Sequence, residues 1–453
     1  MSVSLALFTR DLRVHDNPML HTAADAADHV IPLFVLDDAI LRTGFPSPNR
    51  AAFLVDCLTD LDATLRELGA RLIVRRGDPV TEVLDLVTHH AITDVHLSGD
   101  VSRYARQRQR RLGDALDEHG ARLHLHDDVI TAVAPGAVTP TGNRDHFAVF
   151  TPYLRRWTEL PKRTPLPPPH RLRLPPRVTA HALPDPGAIS RGSTAPDLPG
   201  GGETTGRDLL GTWLRDDVTG YADGHDDLAG DRTSRLSPHL HFGTVSATEA
   251  AHRAGRSAGA REFVSQLAWR DFHHQVLAAR PACSTHDYRS RGDRWRHAPD
   301  ELRAWQEGRT GYPVVDAGMR QLLREGWMHN RARLITASFL TKTLYLDWRE
   351  GARHFLRHLT DGDIANNQLN WQWVAGTGTD TRPNRVLNPL RQADRYDPRG
   401  DYVRRYLPEL RDIPGPEVHR PWTLPDHQRR ELDYPDPIVD LAEGRERFLA
   451  ARG

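Results

Sequence analysis

The sequence predicts two folds in one chain: a Rossmann-like parallel α/β sheet of five strands within residues 1–130, and an all-α domain from residue 206 to the end. Three observations carry this. Short apolar runs alternate with helical periods up to about residue 130, the pattern is helical from about residue 206, and the stretch between them lacks a sustained period. At 453 residues the chain also exceeds what one ordinary core organises.

The five strand candidates are Val3–Phe8, Val30–Val35, Arg71–Val74, Val95–Leu97 and Arg122–Leu125. Between the second and third, Ala51, Leu54, Val55, Leu58, Leu61 and Leu65 recur at three and four residues and make one helix stripe. Asp78 followed by Pro79 is an N-cap with proline at the first helical position, so another helix starts there. The glycine-rich dinucleotide fingerprint is absent after the first strand, where Phe8-Thr-Arg-Asp-Leu-Arg13 stands instead. Residues 131–205 read as an interdomain connector, densest in proline, arginine and glycine from Pro161 to Gly202. Beyond it, Val314, Val315, Gly318, Met319, Leu322 and Leu323 share a helix face that Gly326 stops, and a further helical run extends from Asn330 to Tyr345.

Sixty basic and sixty acidic residues cancel, so a domain that coats nucleic acid by bulk charge is excluded and any nucleic-acid site must be a local basic patch. Only Lys162 and Lys342 are lysines, which leaves nearly all the positive charge to arginine. Cys57 and Cys283 alone support neither a disulfide framework nor a cysteine metal centre. No metal role is expected for the histidine pairs His124 with His126 or His273 with His274, because carboxylate and cysteine partners do not recur at ligand spacing. No apolar run approaches eighteen residues and no leader precedes Ser4, so a soluble, cytoplasmic protein is expected.

Three segments concentrate chemistry. Thr233-Ser-Arg-Leu-Ser237-Pro238 offers three hydroxyls, a serine N-cap and a proline at a helix start, an arrangement whose unpaired N–H groups suit phosphate. Asn330, Arg331 and Arg333 share a helix running into an apolar region, where such groups need partners. Asp361 to Trp373 then crowds two carboxylates, several amides and two indoles into thirteen residues, without the glutamate that closes a calcium loop.

These residues carry a resemblance. Gly311-Tyr-Pro-Val-Val-Asp-Ala-Gly-Met-Arg-Gln-Leu322, Gly326-Trp-Met-His-Asn-Arg331, Asp347-Trp-Arg-Glu-Gly351, Asp361-Gly-Asp363, Trp371-Gln-Trp373 and Thr377-Gly-Thr-Asp380 resemble the flavin domain of the photolyase and cryptochrome family. Phe8-Thr-Arg-Asp-Leu-Arg-Val-His-Asp-Asn17 resembles its antenna domain, so the likeness spans nearly the whole chain. It is nearest to the class I members that split cyclobutane pyrimidine dimers, which implies a light-driven carbon–carbon lyase acting on UV-damaged DNA.

The resemblance further implies noncovalent FAD held by Tyr221, by Thr233, Ser234, Arg235, Leu236 and Ser237, and by Arg270, Asn330, Arg333, Asp361, Asp363 and Asn367. It implies an Arg333–Asp361 ion pair beside the flavin and Asn367 at the flavin nitrogen that exchanges a proton. Trp295, Trp348 and Trp371 match the family's electron-carrying tryptophans. Gln266, Trp269, Asn330 and Trp373 match the pocket that receives the flipped lesion, a family use of base flipping that is a standard example. Arg331 and Arg385 would grip backbone phosphates at its rim.

Two departures bear on lesion choice. Gln266 stands where many dimer-splitting members have a glutamate, and Leu334 where they often have a methionine. Neither histidine of the (6-4) photolyase pair follows His329 in this helix. The alternatives are therefore a (6-4) photolyase or a cryptochrome-type photoreceptor, the latter disfavoured by the short stretch after Tyr434. Phe34, Asp37 and Arg50 are expected to contact an antenna chromophore near the carboxyl ends of the strands. Ser102-Arg-Tyr-Ala-Arg-Gln-Arg-Gln109 resembles members that take 8-hydroxy-5-deazaflavin rather than 5,10-methenyltetrahydrofolate. A monomer is expected.

Overall fold

A computed structural model describes residues 2–142 and 144–452. Its five parallel strands, β1 (Val3–Phe8), β2 (His29–Asp37), β3 (Ile73–Gly77), β4 (Asp94–Ser98) and β5 (Arg122–His126), stand in the order β3-β2-β1-β4-β5. β1 coincides with its sequence-derived bounds. β2 and β4 run longer at both ends and β3 starts two residues later, shifts that fall where apolar runs give way to the polar strand ends His29, Asp37, Arg75 and Ser98. Alternate residues bury both faces: Ala6, Phe8, Phe34 and Val74 pack under the Pro48–Glu67 helix, while Leu5, Leu7, Ile31 and Leu97 pack under the Pro79–His90 and Arg103–Glu118 helices.

The Pro48–Glu67 helix buries Ala51, Leu58, Leu61 and Leu65 as its stripe predicts, with Phe53 and Cys57 added and Leu54 and Val55 only half-buried. Asp78 caps the next helix by accepting from the Thr81 amide at 3.2 Å. The connector is a packed strap. Its Phe150–Glu159 helix buries Tyr153 and Trp157 against Phe272 and Val276 of the long Ala258–Ala279 helix. Further on, Leu172 N donates to Leu68 O at 2.7 Å and Val30 N to Arg173 O at 2.8 Å, so the strap crosses the α/β domain as well.

The remainder is helical. The Pro313–Glu325 helix ends at Gly326 with φ 63°, the left-handed stop its sequence announces. The run from Asn330 forms an α-helix to Ser338, passes through one π turn at Phe339–Thr343, and ends before Tyr345. No helix of the described residues is long and apolar enough to cross a membrane.

Candidate active site

The long Ala258–Ala279 helix sends Phe263, Gln266, Leu267, Arg270 and His273 to one side at helical spacing, and the Ile364–Ala375 helix opposes it with Asn366, Asn367, Asn370, Trp371 and Val374. Between them opens a cavity of about 460 Å³, the size of a cofactor or small-ligand site. Every residue assigned above to FAD or to the lesion pocket lines it: Tyr221, Thr233 to Ser237, Gln266, Trp269, Arg270, Asn330, Arg333, Asp361, Asp363, Asn367 and Trp373. Arg270, Asp361, Asp363 and Asn367 are buried, whereas Arg333, Gln266, Trp269 and Trp373 are half-buried.

On the polar wall Arg333 and Asp361 form the expected pair, with Nη2–Oδ2 at 2.7 Å and Nη1–Oδ1 at 3.2 Å. Arg333 Nε also donates to Met328 O at 2.8 Å. Asp363 caps the Ile364–Ala375 helix, its Oδ1 accepting from the Asn366 amide at 2.8 Å. Burial alone would raise the Asp363 carboxyl, but Arg10 and His274 hold it well below the usual carboxylate range. Asn367 Nδ2 donates to Ala352 O at 3.1 Å, and among the described residues nothing donates to its Oδ1. Arg270 gives its guanidinium to Ile130 O at 2.7 Å and Leu240 O at 3.0 Å, bracing the wall.

The residues present fit a polar, phosphate-bearing cofactor. Buried atoms without partners among the described residues include Thr233 Oγ1, His241 Nδ1 and His273 Nε2, all on cavity residues. Burial pushes His241 down to about 3 and His273 down to about 4, so both are neutral at physiological pH and free to donate or accept. Sequence reasoning missed His241 and His225 on this wall and weighed His273 only as a metal pair with His274, since a histidine carries no signal of what it faces.

One expectation requires correction. Ser237 does not cap its helix: Leu236 is the flanking residue, no side chain caps the end, and Ser237 Oγ instead accepts from Trp327 Nε1 at 3.0 Å. Arg235 lines the cavity while its guanidinium pairs with Asp231 at 2.7 Å and Glu325 at 2.9 Å and lies over the Trp327 ring. Arg50 donates to Leu359 O at 2.6 Å and to Leu356 O and Phe45 O. Phe34 lies in the sheet core, and Asp37 accepts from the Tyr104 hydroxyl and the Ala39 amide.

At the rim, Arg331 is held by Asp226, Nη2–Oδ2 2.6 Å and Nε–Oδ1 3.0 Å, a partner the sequence did not announce, and stacks over Tyr396. Arg385 is exposed and forms no ion pair among the described residues. Trp371 lines the cavity with Trp305 and Phe355 as ring neighbours at 6.0 and 4.9 Å; Trp348 is fully buried; Trp295 is half-buried against Tyr345 at 5.0 Å. All three sit in or against one core cluster.

Residues 4–170 match the family described as DNA photolyase, and residues 263–452 match the FAD binding domain of DNA photolyase. A deoxyribodipyrimidine photo-lyase of Streptomyces griseus is 60% identical over the full length of both chains. The chain belongs to the DNA photolyase family. The photolyase likeness extends to the Escherichia coli deoxyribodipyrimidine photo-lyase, 35% identical over 100% of this chain and 98% of that one. Among solved structures, a bacterial class III photolyase from Agrobacterium tumefaciens superposes with TM-score 0.92 at 32% identity, covering 99% of this chain and 96% of the other. A Synechocystis cryptochrome superposes with TM-score 0.91 at 27% identity over 99% of each, so backbone shape alone does not separate repair enzyme from photoreceptor.

Proposed function

We propose that this chain repairs cyclobutane pyrimidine dimers in DNA by light-driven electron transfer, with FAD and the flipped lesion sharing the one cavity. The observation that carries this is the continuity of that cavity from a polar wall, buried Asp361, Asp363 and Asn367 with half-buried Arg333, to a half-buried indole mouth, Trp269 with Trp373. Bound reduced FAD would supply the light-excited electron. Arg333, with its charge balanced by Asp361, and the amide of Asn367 stabilise negative charge on the ligand beside them in a site with little water. Trp269 and Trp373 offer stacking faces to an extruded base; one face of Trp269 is already covered by Phe150 at 3.7 Å, which leaves the other for the lesion. Gln266, whose Nε2 is held by Glu262 at 2.9 Å, keeps its carbonyl to accept a hydrogen bond. Trp295, Trp348 and Trp371 carry electrons inward from the surface, and Arg331 and Arg385 hold phosphates at the rim, Arg331 from the position fixed by Asp226.

Lesion choice follows from proton supply. A (6-4) product needs a proton delivered in the pocket, but His329 caps the Asn330–Ser338 helix by accepting from the Arg331 amide and is not a cavity residue, while the cavity's His241 and His273 are held neutral by burial and His225 spends Nδ1 on Tyr221 O and Ala222 O. Splitting a dimer needs an electron and an orienting hydrogen bond, which Gln266 supplies. As antenna, 8-hydroxy-5-deazaflavin remains the reading, supported by Tyr104 of the arginine-rich helix meeting Asp37 at the end of β2. The protein acts as a cytoplasmic monomer in this reading. The test is to illuminate reduced, FAD-loaded protein with each lesion in an oligonucleotide and follow restored thymines by chromatography. Repair of the dimer is expected; repair of the (6-4) product alone refutes the assignment, and repair of neither favours the photoreceptor.

A further inference from the structure

Arg10 stands just past β1, beside β4, at the point where the strand order reverses and where open parallel sheets usually hold a ligand. In this chain the crevice holds the helical domain instead. Leu12 N donates to Phe242 O at 3.1 Å, Arg13 Nη1 donates to Gly243 O at 2.9 Å, and a Cβ on Gly243 would lie 2.1 Å from Arg10 O. Arg10 reaches past this seam: its Nη2 lies 2.7 Å from Asp363 Oδ2 and 2.9 Å from His274 Nε2, and its Nε lies 3.8 Å from Asp100 Oδ2. A second arm comes from the start of the Pro48–Glu67 helix. Asn49 Nδ2 donates to His358 O at 2.6 Å, Arg50 Nη1 donates to Leu359 O at 2.6 Å, and a Cβ on Gly362 would meet Arg50 Nη1 at 2.8 Å.

The loop 359–363 thus presents Asp361 and Asp363 to the cavity while the α/β domain grips it from outside. Asp363 Oδ1 is spent on the helix cap, on Asn366 N and Nδ2 at 2.8 Å each, so Oδ2 is the oxygen left to orient. Its cationic neighbour is Arg10, with His274 at 3.5 Å and the field of Arg270 behind. Without a cation a carboxylate buried this deeply would neutralise or move.

We propose that Arg10 is a positioning residue for the flavin site, by which the α/β domain sets the acidic loop 359–363 and makes FAD binding and domain docking one coupled equilibrium. This rests on reading the cavity as the FAD site. A ligand that binds only the docked arrangement tightens the docking, and whatever lowers the docked fraction weakens the ligand in proportion.

The test compares full-length wild type with Arg10→Met, Arg10→Lys and Val83→Ala, the last a core truncation on the opposite sheet face that controls for general weakening. FAD release in the dark is followed by the rise of free-flavin fluorescence. Arg10→Met is expected to release FAD about tenfold faster or more, as for loss of the cation paired with a buried carboxylate, with Arg10→Lys intermediate and Val83→Ala like wild type. Equal release from Arg10→Met and Val83→Ala overturns the proposal. A wild type that binds no FAD overturns the cavity reading itself, and is recognised without any variant. Should Arg10→Met fail to fold, hydrogen exchange at the Leu12 amide of wild type decides: FAD is expected to slow it, and unchanged exchange overturns the coupling.

Discussion

Single side chains already fix two outcomes. Lys342 is almost wholly buried, its Nζ donating to Pro383 O at 2.9 Å and Arg385 O at 2.6 Å, and burial lowers it from 10.5 to about 8. Between about pH 8 and 10.5 the unfolded chain therefore holds a proton that the folded chain has released, so this group makes stability rise with pH across that window, by up to about 3 kcal/mol. Lys342→Met should flatten the rise in thermal midpoint from pH 8 to 10.5 relative to wild type, and identical slopes would contradict the assignment. Asp361→Asn leaves Arg333 without its carboxylate. A cost of about 3 kcal/mol is expected in chemical denaturation, the low end for a buried pair because Arg333 keeps 25% of its side-chain surface in solvent. The Arg333–Asp361 pair was legible because the motifs carrying both residues resemble one family; Asp226 and His241 were not, since nothing in their neighbouring sequence marks the helix they face.

At the scale of elements, the Trp348–His358 and Ile364–Ala375 helices meet at Gly351, where an added Cβ would come 2.1 Å from Trp371 Cη2. Gly351→Ala should destabilise by about 1–3 kcal/mol in denaturant unfolding and displace Trp371. Unchanged stability would mean the helices have slack that the packing denies. Trp371→Phe, which keeps most of the volume, should slow photoreduction sharply while dark DNA binding stays near wild type, as transient absorption and gel shift would read. The stops and stripes of these helices were readable: Gly326 ends one, and the spacing of Leu58, Leu61 and Leu65 buries another. The Ser237 cap was misread because the Trp327 indole, ninety residues away, takes the hydroxyl.

For the whole molecule, the alternation of apolar runs forecast a five-stranded parallel sheet, and the loss of that alternation forecast the helical remainder. What stayed hidden was how the two halves meet. Arg10, just past the central strand, and Arg50, in the first turn of the Pro48–Glu67 helix, both reach groups of the helical domain, Asp363 and Leu359 O, that no local sequence pattern announces. If FAD and the lesion occupy one cavity, the flavin's emission must respond to the lesion. Adding dimer-bearing DNA in the dark to reduced, FAD-loaded protein should quench the flavin fluorescence, undamaged DNA should leave it unchanged, and emission should recover as illumination restores thymines. Dimer-bearing DNA that binds in the dark without altering the emission would contradict the shared cavity.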